Sequence, residues 1–164
     1  MSAVEDWGRA YARQATADIG MWKRLQAISE VAECHRLQFL QMACEKLCKA
    51  HLCRAGADPV SLQSSHRYVE KNLPTVIRQF LSDHSRGHRA HLMRHFRQLS
   101  GEIELLSPAV DRGGQRLDNC EYPWQSGESI HVPADYRFSN LDLLTQPDGR
   151  MFLKCIGYAI ERLA

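Results

Sequence analysis

Residues 31–53, VAECHRLQFLQMACEKLCKAHLC, place Leu37, Leu40, Cys44, Leu47 and His51 on one stripe at helical spacing, with the charges off it. This predicts a long amphipathic helix that stops near Gly56, a residue suited to a left-handed C-terminal cap. The following RAGADPV, residues 54–60, turns the chain back because Pro59 cannot extend the helix before it. Upstream, Trp7, Tyr11, Trp22, Leu25 and Ile28 recur at the same spacing among helix-favouring alanines. They predict a partner helix across 4–28, with Gly20 as its weak point.

Downstream, Ser64 and Ser65 can cap a short helix over SHRYVEKN. Asn72 then serves as a second cap, with Pro74 in the first turn of a helix that turns Leu73, Val76, Ile77, Phe80 and Leu81 inward. A fourth helix starts at Asp83 or Ser85 and buries Leu92, Phe96, Leu99, Ile103 and Leu106 before Pro108 closes it. From 107 to 149 the periodicity vanishes, and four of the 6 prolines and four of the 10 glycines fall there. Such a stretch wraps a fold, with Tyr122 and Trp124 as groove-filling anchors. EYPWQSGESIHV can form a small hairpin around Ser126-Gly127, with Pro123 confining its strand to an edge. A final helix, capped by Asp148, points Phe152, Ile156, Ala159, Ile160 and Leu163 inward. The expected fold is all-α: one domain over 1–164, with a bundle of about five helices over 4–106 and its last helix over 149–163, and a wrapping loop over 107–148.

The 164 residues, 44% apolar and 24% charged, suit one globular core. No run approaches the ~18 apolar residues of a membrane span, and residues 1–20 carry acids without an apolar block, so a cytoplasmic chain without a signal peptide is expected. With 21 basic and 19 acidic side chains the net charge is +2, which gives no global electrostatic case for nucleic acid. The cysteines at 34, 44, 48, 53, 120 and 155 form no CxxC pair, and reduced thiols packed on helix faces are the expectation. No P-loop, GxGxxG, GxSxG or HExxH occurs, and no cofactor is expected.

Chemistry concentrates in residues 78–97, which hold five Arg, four His and one Asp. An Arg followed five to seven residues later by His occurs as Arg78/His84, Arg86/His91 and Arg89/His95; random placement of 16 Arg and 8 His gives about two such spacings. On a straight helix those separations leave the side chains about 120–140° apart, so only Arg78 and His84, which straddle a predicted turn, can be folded onto one phosphate. Arg86, Arg89, Arg94 and Arg97 would attract phosphates of RNA or a nucleotide; a solvated face or a seam for an acidic partner is the plain alternative. His84, His88, His91 and His95 follow each other at i, i+4, i+7 and i+11 along one helix edge. The HxxxH spacing can hold zinc if the loop supplies a third ligand such as Cys120 or His131, which gives a zinc-stabilised structural protein as a further reading; a packing border is the simpler account.

Ala43, Glu45, Lys46, Lys49, Ala50 and Gly56, followed by Ser65, His66, Leu73 and Pro74, resemble the core of HEPN domains (higher eukaryotes and prokaryotes nucleotide-binding). Residues 15–19 are similar to the family's first helix, and NCEYPW, 119–124, resembles an aromatic-Pro element of one branch, with Glu121 where that branch carries Arg. The resemblance implies a helical bundle that often dimerises and serves prokaryotic toxin–antitoxin or antiphage systems. Many members are metal-independent ribonucleases in which a His transfers the proton at the ribose 2′-hydroxyl while an Arg stabilises phosphate charge. Carried over, those roles fall to His84 and Arg78, and less readily to Arg86/His91 or Arg89/His95; the residue after the Arg is Gln79, Gly87 or Ala90, where members most often carry Asn. Other members are silent subunits that dimerise or dock on an effector encoded nearby.

Overall fold

The computed structural model describes residues 3–81, 89–109 and 118–164, with the side chains of Ala3, Phe80 and Arg89 left aside. It is mostly helical: α1 (Ala3–Leu25), α2 (Glu33–Arg54), α3 (Pro59–Gln63), α4 (Val69–Leu81), α5 (Arg89–Glu104) and α6 (Pro147–Leu163), with one small antiparallel hairpin, β1 (Trp124–Ser126) and β2 (Ser129–His131). Among the described residues no helix is long and apolar enough to cross a membrane.

Helix α2 is the axis of the fold. Leu37, Leu40, Cys44 and Leu47 are buried as their stripe predicts, and Ala43, Cys48 and Ala50 beside them are fully buried as well. A helix this enclosed needs partners on several sides, and α1, α4, α5 and α6 all pack on it. The contact with α1 differs from expectation. Trp7 and Ile28 are 42% and 43% exposed, whereas Ala12, Ala15 and Ile19 form the buried face. Small side chains let the two backbones come close, and the aromatic residues are left at the margin, where Trp7 packs on Tyr11 with ring centroids 5.9 Å apart.

The turn after α2 also departs from the sequence expectation. Gly56 has a positive φ of 87° as a cap should. The short helix, however, begins at Pro59, where Asp58 accepts hydrogen bonds from the backbone N–H groups of Val60 and Ser61, and not at Ser64 or Ser65. Asn72 caps nothing; its amide donates to the Tyr68 carbonyl inside a helix that starts at Val69 and runs straight through Pro74. A proline there leaves the Glu70 carbonyl without its helical N–H donor, and the complete burial of Leu73, Val76 and Ile77 offsets that cost. The predicted start of the next helix at Asp83 or Ser85 lies outside the described residues.

The segment before α6 is more ordered than its composition indicates. The hairpin forms at the expected place, with Gly127 at a positive φ of 58° and Trp124 paired to His131. Two 3-10 turns follow, Pro133–Asp135 and Ser139–Thr145. Trp124 and Phe138 are buried anchors, but Tyr122 is 61% exposed and fills no groove. The strap is tied down at both ends: Cys120 N–H donates to the Leu106 carbonyl, and Phe138 N–H to the Glu33 carboxylate at the start of α2.

Helix α6 is not capped by Asp148. Its N-cap is Gln146, which makes no side-chain capping bond, and Asp148 lies inside the first turn. The next residue explains the rigidity of this corner. A Cβ on Gly149 would stand 2.5 Å from the Leu144 Cα and still closer to the Leu143 carbonyl oxygen, so only glycine lets α6 seat on the preceding turn. One turn on, Phe152 meets Phe96 of α5 edge to face, centroids 5.3 Å apart, and both rings are fully buried. Phe152→Ala is expected to cost about 3–5 kcal/mol in urea unfolding, against less than about 0.5 for Tyr122→Ala.

Candidate functional site

Three constellations of polar side chains stand out; the first is absent from the sequence expectations, and the third adds an acid to a histidine spacing already seen there. The first lies inside the bundle. Gln41, Glu45 and Lys49 follow each other at i, i+4 and i+8 on α2, and all three are buried although the sequence pattern sets the charges of this helix outside. Glu45 receives Lys49 Nζ at 2.7 Å, the Gln41 amide at 3.1 Å and the His66 imidazole at 3.1 Å. Lys49 also lies over the rings of Tyr11 and Tyr68, 5.9 and 5.7 Å from their centroids. A turn earlier, Lys46 Nζ stands 2.8 Å from Asp18 Oδ2, near enough to balance its charge though not aligned as a hydrogen bond, and Gln14 donates to the other carboxylate oxygen.

Burial pushes the Glu45 carboxyl up, but Lys49, Gln41 and His66 outweigh it and leave the group below its ordinary 4.5. Glu45, Lys46, Lys49 and His66 are among the residues that carry the HEPN resemblance, and here they join α1, α2 and the entry to α4. Gln41, Glu45 and Lys49 at the centre of this network are buried, and the His66 side chain, 42% exposed, lies at its edge.

The second constellation is cationic. Arg78, Arg94 and Arg97 are exposed, and among the described residues none of them has an acidic partner. Helices α4 and α5 run antiparallel, because Glu70 at the start of α4 meets Gly101 and Glu104 at the end of α5; the Glu70 N–H donates to Glu104 at 2.9 Å. Arg94 and Arg97 lie seven and four residues before Gly101, so they share the flank of α5 that meets α4. Arg78, near the C-terminal end of α4, is level with them along the antiparallel pair, about 80° around its own helix from Glu70. His84, Arg86, His88 and the Arg89 side chain fall outside the described residues, so the pairing of Arg78 with His84 is not among the contacts.

The third constellation is on the opposite flank of α5, roughly 110° around the helix from the arginines. His95 Nδ1 lies 2.6 Å, and His91 Nε2 3.2 Å, from the same oxygen of Asp148, Oδ2. The two imidazoles meet edge to face with centroids 4.3 Å apart. These three donor atoms lie within 4.8 Å of one another, the spacing a metal ion can bridge. His91 and His95 both reach Asp148, and the partners proposed for them from sequence, Arg86 and the Arg89 side chain, lie outside the described residues.

The loop residues considered as third metal ligands are engaged elsewhere. His131 stacks on Trp124, and Cys120 is buried with its thiol pushed well up by desolvation. The other cysteines are likewise buried and unpaired, and burial raises every one, Cys155 to about 11. None is poised as a nucleophile or thiolate ligand. The partnership of Asp148 with the histidines is invisible to local pattern, since 53 residues separate it from His95; the buried α2 triplet could have been found from its complementary i, i+4 spacing.

No known protein family, curated protein or solved structure matches this chain.

Removing the Lys49 charge leaves a buried carboxylate uncompensated. Lys49→Met is expected to destabilise the protein by about 3–5 kcal/mol in urea titrations, and the paired change with Glu45→Leu by much less. Because the folded Glu45 lies below its ordinary pKa, its contribution is complete above about pH 4.5 and is lost as pH falls through the folded value. Glu45→Gln should flatten that acid limb when stability is measured against pH.

Proposed function

We propose that the chain is a HEPN-like five-helix bundle that holds RNA or nucleotide phosphates along the seam between α4 and α5, in the toxin–antitoxin or antiphage setting that the resemblance implies. One observation carries this reading: Arg94 and Arg97 are exposed on the flank of α5 that meets α4, Arg78 is exposed level with them on α4, and none of the three has an acidic partner among the described residues. Arginine presents a planar fork that matches phosphate, and unpaired cations gain most from the counterions a polyanion releases. The net charge of only +2 makes the local concentration of charge the relevant quantity.

In the enzyme form of this reading, Arg78 stabilises charge on the scissile phosphate. His84 takes the 2′-hydroxyl proton as the oxygen attacks phosphorus, and a proton is returned to the 5′ oxygen as its bond to phosphorus breaks. In the silent form the same seam binds without cleavage, and the chain acts as a dimerising or docking subunit.

Binding of a labelled single-stranded RNA, followed by fluorescence anisotropy, tests the seam. Arg94→Ala with Arg97→Ala is expected to weaken binding about tenfold at low salt and to lower the slope of log affinity against log salt by roughly 1.4. An unchanged slope and affinity refute the assignment. Cleavage in the presence of a chelator, abolished by His84→Ala with RNA binding retained, and abolished likewise by Arg78→Ala, identifies the enzyme form; binding without cleavage identifies the silent one.

A further inference from the structure

We infer that His91, His95 and Asp148 form a binding site for a divalent transition metal of zinc type, clasping α5 to the first turn of α6. The inference goes beyond the phosphate reading and does not depend on it, since the arginine seam lies on the other flank of α5.

The donor set favours this class of ion. Two imidazole nitrogens and one carboxylate oxygen match the borderline ligands of zinc, whereas magnesium and calcium prefer cages of oxygen. The donors also converge. A tetrahedral zinc with bonds of about 2.0–2.1 Å holds its ligand atoms about 3.4 Å apart. His91 Nε2 and Asp148 Oδ2 stand 3.2 Å apart, and His95 Nδ1, at 2.6 Å from that oxygen, requires a small outward rotation of the carboxylate. Neutral imidazoles at i and i+4 on one helix present lone pairs to a common point, and the third ligand comes from a different helix, so the ion would cross-link two elements.

The framework beneath the three side chains is rigid. Asp148 precedes Gly149, whose close seat on Leu143 and Leu144 fixes where the carboxylate emerges. The ring contact between Phe96, next to His95, and Phe152, one turn after Asp148, locks α5 against α6 directly below. The His91 side chain is 53% exposed, which leaves a fourth coordination position on the solvent side for water or an exogenous ligand.

The rival account is a pair of hydrogen bonds from the imidazoles to Asp148 with no ion. The two differ in a direct measurement. Purified full-length protein is stripped with a chelator, dialysed, and titrated with zinc chloride by calorimetry, and with cobalt chloride by visible absorption. The expected result is one equivalent bound with Kd below about 10 µM, cobalt d–d bands of a four- or five-coordinate site, and a melting temperature raised by roughly 5 °C at hundredfold excess over Kd. Asp148→Asn keeps an acceptor for both rings, so its fold should survive; it and His95→Gln should each weaken zinc about tenfold or more. His51→Ala and His131→Ala should leave zinc affinity unchanged. Absence of saturable binding, or equal binding by Asp148→Asn, His95→Gln and the wild type, overturns the site. Arg94→Ala with Arg97→Ala tests the phosphate seam without touching these ligands, so the two readings fail separately.

Discussion

The ion pair between Glu45 and Lys49 in the middle of α2 is the constraint around which the rest of the molecule is arranged. Two charges taken out of water in the centre of a helix must be surrounded by groups that replace hydration, and each neighbour supplies some of them. Helix α1 brings Tyr11, the turn before α4 brings His66 and Tyr68, and α2 itself brings Gln41. An apolar core of similar volume would tolerate small slips of one helix along another. This one does not, because any slip leaves a charge unmatched. The polar centre therefore sets the register of α1 and α4 on α2, and the apolar contacts follow from that register.

Placed in this frame, α5 presents its two polar flanks to different neighbours. The flank toward α4 keeps its arginines in water, and the flank toward α6 turns its histidines onto a carboxylate. The same stretch of sequence thus serves two kinds of chemistry because a helix distributes successive residues around its axis. Arg94 and Arg97 on one side and His91 and His95 on the other, neighbours in the linear sequence, lie on separate flanks of α5.

Much of the architecture was legible where a single strong period operated. Helices α2, α5 and α6 present the apolar faces expected of them, and the hairpin forms around Gly127 where small and polar residues permit a tight turn. The reading failed where two signals competed. Pro74 looked like a helix start, but it sits within α4 because the apolar residues around it gain more from burial than the missing hydrogen bond costs. Asp148 looked like a cap, but a carboxylate in the first turn of a helix can satisfy partners outside as readily as backbone N–H groups, and its partners lay on α5. On α1, large aromatic residues drew attention away from the alanines that make the close contact. The candidate site was half legible: the histidine spacing shows in sequence, and the acid that completes it comes from a helix whose packing no local pattern records.

The burial of the cysteines has a consequence for handling and for measurement. With Cys34, Cys44, Cys48, Cys53, Cys120 and Cys155 all enclosed and all disfavoured as thiolates, alkylating reagents and oxidants find little to attack while the bundle is closed. Each thiol becomes reactive when its own segment opens. Because these residues are distributed over α2, the strap and α6, the order in which they take up label would trace the order in which parts of the molecule come undone, a built-in record of local opening that requires no introduced probe.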